Sequence, residues 1–372
     1  MACAGQHHHH PASADPARRQ PLSRARVAVL DPALHLPRAA RPRGRLVPAP
    51  EGLLAGFARG ARSGSRPDEP KRGAGPNAGE GAVVTADVAE PSTTSRHVTL
   101  NDGRRHHYVA VEGEGPTLVF LHGYTDSWRS FAPLLPALAG AGRLLLLDQR
   151  GHGLSERAER YAIADFTGDA IAFIEAVVGG PVHLVGHSLG SIVAHRVAAI
   201  RPDLVESLIL IGPARTAAGH PGLAELDAEL AALGEDIPPA FVTAFQRGTT
   251  HREIGEADLA AFVSESLRLH PDTWRGALAG LVNDPDVPDT VLDRPALLLW
   301  GDRDAVFDRG AQADLARHLE RPTAIDYPEV GHAPHWEIPD RVAADIRDFI
   351  GAPAPRGDAA ARPQKDLADA AR

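Results

Sequence analysis

The stretch "VHLVGHSLGS", Val182 to Ser191, limits what this chain can fold into more than any other. Its first half is a short apolar run of the kind that forms a strand buried on both faces. The segment after it, "LGSIVAHRVAAI" (189–200), spaces its apolar residues as a helix does and is stopped by Pro202. Between the two sits Gly186-His187-Ser188-Leu189-Gly190, a G-x-S-x-G. As a bare pattern it is weak, because glycine and serine are common. Between a buried strand and a helix it describes a sharp turn that lifts the Ser188 hydroxyl above the sheet. Small residues two before and two after let that turn pack. The positive end of the helix then lies beneath any charge that develops near Ser188. The plain alternative is a helix-capping serine in a glycine-rich turn.

Similar apolar runs recur along the chain. "HVTL" (97–100) and "HHYVAVEG" (106–113) read as two short strands joined by the turn "NDG". "TLVFL" (117–121), "RLLLLD" (143–148), "ESLILIG" (206–212), "PALLLW" (295–300) and the weaker "TAIDY" (323–327) complete the set. Helical patterns fall between them. After "TLVFL", Asp126 or Ser127 can cap a helix in which Trp128, Phe131, Leu134, Leu135 and Leu138 recur at helical spacing. Residues 162–178 form another through Ile163, Phe166, Ile171, Phe173, Ile174 and Val177, and "IPDRVAADIRDFI" closes the series. Strands alternating with helices predict an α/β fold with a mainly parallel, doubly wound sheet covered on both faces.

The alternation fails after the sixth strand, between 214 and 290. "GLAELDAELAALG", "PPAFVTAFQRG", "EADLAAFVSESLRL" and "DTWRGALAGLV" all read as helices. An insertion at that place lies over the carboxyl edge of the sheet, where ligands bind, and is a candidate lid. A peripheral helical subdomain is the alternative. The expected core is therefore 91–213 with 291–351, and the lid is 214–290.

Charge separates a further piece. Residues 1–82 hold 13 Lys+Arg against 6 Asp+Glu, about +7, which leaves about −16 for the rest of a chain whose net charge is −9. Few apolar runs occur there, so residues 1–90 are expected to be a disordered basic arm. Residues 352–372 are expected to be a frayed tail. The arm's longest apolar piece, "VAVLDPALHL", is broken by Asp31 and Pro32, and no body segment suffices to span a membrane. "RR" (18–19) resembles a twin-arginine signal, but no uninterrupted apolar segment follows it. An Arg-rich arm can bind nucleic acid; an unselected extension is the simpler reading, and no nucleic-acid partner is expected. "HHHH" (7–10) has no further ligands in pattern, so neither a metal nor a cofactor is expected. The one cysteine, Cys3, forms no intrachain disulfide, which fits a cytoplasmic setting. Oligomeric state is not legible.

A serine nucleophile needs an oxyanion site and a base. "LHGYTDSW" (121–128) places His122-Gly123 directly after a buried strand. The N–H of the residue after the nucleophile, with one from this loop, makes an oxyanion hole, which nominates Leu189 and Tyr124. The base must come from a loop at the same sheet edge. His332 in "GHAPHWEIP" follows the last strand and precedes the last helix; His335 is its rival. His187 adjoins Ser188, but adjacent side chains on such a turn diverge. His122 and His152 read better as loop-ordering residues. "GDRDAVF" (301–307) offers two carboxylates after a buried strand, Asp302 and Asp304, and local physics does not choose between them.

Taken in order, "HGYTDSW", "LDQRGHGLS", "VGHSLGS", "LLLWGDRD" and "GHAPHWEIP" resemble the α/β-hydrolase superfamily, in its lid-bearing, esterase-like branch. The resemblance spans about 117–350 and follows that fold's chain order of nucleophile, acid, base. It implies that Ser188 is the nucleophile, His332 the general base and Asp304, the second aspartate of G-D-x-D, the acid that orients the histidine. It further implies a small-molecule acyl substrate. Haloalkane dehalogenases and epoxide hydrolases carry aspartate at the elbow, so Ser188 argues against both. Perhydrolysis or carbon–carbon bond hydrolysis with the same triad, and a non-catalytic ligand-binding member of the fold, stay open. The many lid charges, among them Arg247, Arg252, Glu253, Glu256 and Asp258, favour a small or medium ester or lactone over an oil surface. The expected pocket residues are His122, Tyr124, His187, Phe241 and Trp274.

Overall fold

The computed structural model describes residues 92–285 and 287–351; the expected arm and tail lie outside the described residues. Eight strands form one sheet: β1 (Thr93–Thr99), β2 (Arg105–Val111), β3 (Thr117–Leu121), β4 (Arg143–Leu147), β5 (Val182–His187), β6 (Val205–Ile211), β7 (Ala296–Gly301) and β8 (Pro322–Tyr327). Their spatial order is β1-β2-β4-β3-β5-β6-β7-β8. β2 pairs antiparallel with both β1 and β4, and every other pairing is parallel.

The apolar runs are continuous because both faces are covered. Along β3, Leu118 and Phe120 face a core shared with Phe131, Leu134, Leu138, Val342 and Ile346. Val119 and Leu121 face the opposite core with Phe166, Phe173, Ile192 and Val197. Phe120 is fully buried, and truncating such a residue costs about 3–5 kcal/mol. The second core is built by α1 (Ile163–Val177) and α2 (Leu189–Ile200).

The helix expected after β3 is a 3₁₀ segment, Trp128–Leu134, followed by one α-turn, Leu135–Leu138. Pro133 and Pro136 explain the difference, since each removes a donor that a continuous helix needs. Ser127 caps the segment by accepting from the Arg129 N–H at 3.2 Å.

Four helices lie between β6 and β7: α3 (Pro221–Ala232), α4 (Pro239–Gly248), α5 (Glu256–Arg268) and α6 (Pro271–Val282). After β7 comes α7 (Arg309–Arg317), and α8 (Pro339–Phe349) ends the described chain. The sequence reading lacks α7. It buries only Leu315 and so has no apolar stripe; Asp308 starts it by accepting from the Ala311 N–H. No described helix is long and apolar enough to cross a membrane.

The register aligns the carboxyl ends. Leu121 lies opposite Gly186, His187 opposite Ile211, and Ile211 opposite Leu299. The loops after β3, β5, β7 and β8 therefore open on one edge. β4 and β5 flank β3 on opposite sides, so the chain changes winding direction there, which is where open α/β sheets bind ligands.

Candidate active site

Ser188 occupies that change of direction. Its backbone has φ 50° and ψ −115°, a conformation that L-residues rarely adopt. The turn is held by the Ser188 N–H donating to Ile211 O at 3.1 Å and by Ser191 Oγ donating to Ser188 O at 2.6 Å. The flanking glycines have a steric reason. A Cβ on Gly190 would lie 2.0 Å from Leu121 O, and one on Gly186 would lie 2.3 Å from Gly190 O. Ser188 caps no N–H of the helix with its own side chain, which removes the plain capping alternative.

On the loop after β8, His332 Nδ1 lies 2.8 Å from Asp304 Oδ2. Both side chains are almost wholly withdrawn from solvent. Asp304 Oδ1 accepts from the N–H groups of Val306 (2.7 Å) and Phe307 (2.9 Å). A carboxylate only accepts, so Nδ1 carries the proton and Nε2 is left with a lone pair. Asp302 does something else: its Oδ1 accepts from the Glu329 N–H at 2.7 Å and shapes the turn at the protein surface.

Ser188 and His332 line one cavity with Tyr124, Asp126, His187, Leu223, Leu226, Phe245, Gln246, Thr249, Leu281, Val306, Phe307 and Trp336. About 550 Å³ of empty space lies within it, part of it open to solvent. No hydrogen bond among the described residues joins Ser188 Oγ to His332; such contacts commonly tighten only when substrate binds. Likewise, no hydrogen bond among them uses the N–H of Tyr124 or of Leu189, so both donors stay free at the turn. α3, α4 and α6 each contribute wall residues.

Of the five residues expected in the pocket, Tyr124 and His187 stand on the wall, while His122, Phe241 and Trp274 stand behind it. His122 is fully buried: it accepts from the Gln149 N–H at 3.0 Å through Nε2 and donates to Gly123 O at 2.8 Å through Nδ1. Both ring nitrogens are spent ordering the loop. Trp274 donates to Ser266 O and packs edge-on against Tyr124, Phe245 and Phe241. The Tyr124 hydroxyl donates to Trp274 O at 2.8 Å, which ties the loop after β3 to α6.

The rival base, His335, is buried and bonds Ser130 Oγ at 3.1 Å. Its ring lies 4.3 Å from that of His187. Burial pushes His335 well below the usual histidine range, and it lowers His187 and His122 too, so these rings stay neutral around the site.

Sequence reasoning missed Glu337. Its carboxylate accepts from the N–H groups of Gly331 (2.8 Å), His251 (3.1 Å) and Arg252 (2.8 Å). His332 N–H in turn donates to Thr249 O at 2.9 Å. The loop carrying His332 is thus stitched to the α4–α5 connection. The signal was the Glu of "HWEIP", a charged residue directly after the buried Ala333–Trp336 stretch. Asp126 was equally invisible as a wall residue, since only the tertiary fold turns it toward the cavity.

Outside the cavity, Asp102, His106 and Asp169 bring three possible metal donors within 4.8 Å. Asp169 is already clasped by Arg150, through Nε at 2.6 Å and Nη2 at 2.7 Å, so a cation there would displace or oppose a guanidinium.

Comparison with known proteins agrees with this architecture. The profile of a family described as alpha/beta hydrolase fold matches residues 116–339. A 2-(acetamidomethylene)succinate hydrolase of Mesorhizobium japonicum is 28% identical over 72% of this chain and 99% of its own. A pimeloyl-[acyl-carrier protein] methyl ester esterase of Chromobacterium violaceum is 30% identical over 61% of this chain and 91% of its own. Among solved structures, an esterase from Exiguobacterium antarcticum superposes with TM-score 0.64 at 20% identity, covering 70% of this chain and all of that one.

Proposed function

The chain belongs to the alpha/beta hydrolase fold family, and on that premise we propose that it is a serine hydrolase of small or medium carboxylic esters or lactones. The observation that carries the proposal is the strained Ser188 turn sharing a cavity wall with a histidine whose proton is fixed by Asp304. Ser188 Oγ attacks the acyl carbon while His332 Nε2 takes its proton. The free N–H groups of Tyr124 and Leu189 receive the oxyanion. His332 then protonates the leaving group, and later activates the water that hydrolyses the acyl-enzyme. Asp304 stabilises the imidazolium without taking the proton. α3–α6 act as the lid, closing an apolar wall over the acyl group.

The wall also bears on substrate class. None of its residues is Lys or Arg, so no fixed cation waits for a carboxylate on the substrate. That favours a neutral ester over a dicarboxylate such as the 2-(acetamidomethylene)succinate named for the Mesorhizobium relative. A serine at the elbow, where epoxide hydrolases carry aspartate, supports acyl transfer. The test is a panel of chromogenic esters and lactones of graded chain length, run on the wild type and on Ser188→Ala. Turnover that peaks at one chain length and vanishes in the variant is expected. Undiminished turnover in Ser188→Ala would sink the proposal, and faster reaction of one acyl donor with peroxide than with water would move it to perhydrolysis.

A further inference from the structure

A second Ser–His–Asp chain of hydrogen bonds lies at the opposite side of the sheet. Ser95 Oγ, on β1, is 2.8 Å from His107 Nε2, on β2. His107 Nδ1 is 2.7 Å from Asp148 Oδ2, just beyond the end of β4. The antiparallel hairpin sets the first contact: His97 pairs with His107, which brings Ser95, two residues back on the same face, alongside the ring. Asp148 is fully buried; its N–H donates to His107 O at 2.9 Å, and three further donors fix it. Its Oδ1 accepts from the Trp128 N–H at 2.8 Å, its Oδ2 from the Leu154 N–H at 3.0 Å, and its backbone O from Ser155 Oγ at 2.6 Å. His107 is itself buried, and its N–H donates to Ser155 Oγ at 2.8 Å. Ser95 alone of the three is exposed to solvent.

The proton positions follow from the acceptors. Asp148 only accepts, so Nδ1 of His107 carries a hydrogen, and in the neutral ring Nε2 then accepts from the Ser95 hydroxyl. That is the arrangement by which a serine is made nucleophilic. We propose that Ser95 is a second acylatable serine, open to small activated acyl or phosphonyl donors from solvent. Ser95 Oγ forms the bond to the acyl carbon or phosphorus as its proton passes to His107 Nε2. The bond to the leaving group breaks, and that group departs with the proton from His107. The adduct stays on Ser95. Ser95 lines neither the Ser188 cavity nor the smaller one beside Ser127 and Ser130, and the product is a modified protein rather than a turnover cycle.

This chemistry is independent of Ser188, and its rate can be bracketed. A positioned base is worth about 10²–10⁴-fold; the Ser95–His107–Asp148 chain includes such a base but no oxyanion donor, which forfeits about 10²–10³-fold. Ser95 should therefore react roughly 10²–10³-fold more slowly than Ser188.

The experiment treats the full-length Ser188→Ala protein with an alkyl fluorophosphonate and locates the adduct by peptide mass spectrometry. The chain holds two lysines, Lys71 and Lys365, so the same map accounts for amine background. One adduct is expected on Ser95, absent in Ser95→Ala/Ser188→Ala and slowed at least about tenfold in His107→Gln/Ser188→Ala. Folding of the His107→Gln change is checked by the esterase activity it leaves in the Ser188 background; should it not fold, the exposed Ser95→Ala substitution carries the comparison. An unlabelled Ser95 would overturn the proposal. So would labelling that a folded His107→Gln leaves unchanged.

Discussion

Asp304→Asn separates the two aspartates of "GDRDAVF" sharply. An amide offers one oxygen where the carboxylate offers two. The Val306 and Phe307 N–H groups, at 2.7 and 2.9 Å, claim that oxygen; turning the amide round would set its NH₂ against two backbone donors. The NH₂ therefore faces His332 Nδ1, which sits 2.8 Å away in the wild type. Nδ1 must then accept, the ring proton moves to Nε2, and the lone pair that would take the Ser188 proton is gone. The same tautomer error in a known triad costs about 10⁴ in kcat, or about 5.5 kcal/mol of transition-state stabilisation. The assay is kcat on a chromogenic ester, with urea unfolding to show that the variant is folded. Asp302→Asn is the control. Its bond from the Glu329 N–H at 2.7 Å survives in an amide oxygen, and the exposed ion pair it loses with Arg303 at 3.8 Å contributes little, so a change within about 0.5 kcal/mol, near twofold, is expected. If Asp304→Asn stays within about tenfold of wild type while Asp302→Asn falls by about 10³, the orienting acid has been misassigned.

Three other outcomes follow from the packing and the titrating groups. Gly190→Ala should cost about 3 kcal/mol or more, because the new Cβ meets the Leu121 carbonyl at 2.0 Å and backbone must move; chemical denaturation measures it. Stability should fall as pH drops below about 6.5, since His152, lowered to about 3 by burial, with His187 and His335, binds protons more readily unfolded than folded. The loss develops between those pKa values and is absent above the unfolded one; thermal midpoints from pH 8 to 4 would show it, and a flat profile would not fit. Glu337→Ala should leave three backbone N–H groups, two of them part-buried and one exposed, without their acceptor, cost about 1–3 kcal/mol, and lower kcat more than it raises KM as the His332 loop loosens.

Much of this was legible because the carriers are local. Most buried strands hold a run of four or five apolar residues, and their double-sided burial is written in the run itself; β5 interrupts its run with His183. The G-x-S-x-G needs only its neighbours to be read as a strand-to-helix turn. Asp304 could be singled out by resemblance; in the structure its distinction from Asp302 lies in three hydrogen bonds that no spacing rule contains. The 3₁₀ segment at Trp128–Leu134 shows apolar periodicity overruled by two prolines. The cavity wall was the least legible part. Leu223, Leu281 and Phe307 come from three separate elements, and what they share is a tertiary position. His122, Phe241 and Trp274 carry the right chemistry for a pocket, but their side chains are spent ordering the loop and the inserted helices.

The central claim is that Ser188 is an activated nucleophile in the folded protein. Site-resolved labelling of the full-length wild type with a fluorophosphonate, followed over time and repeated after denaturation, tests it most directly. The account predicts rapid labelling on the peptide containing Ser188, complete before any other serine reacts and abolished by unfolding. A native protein in which Ser188 remains unlabelled, or labels no faster than in the unfolded chain, would contradict it.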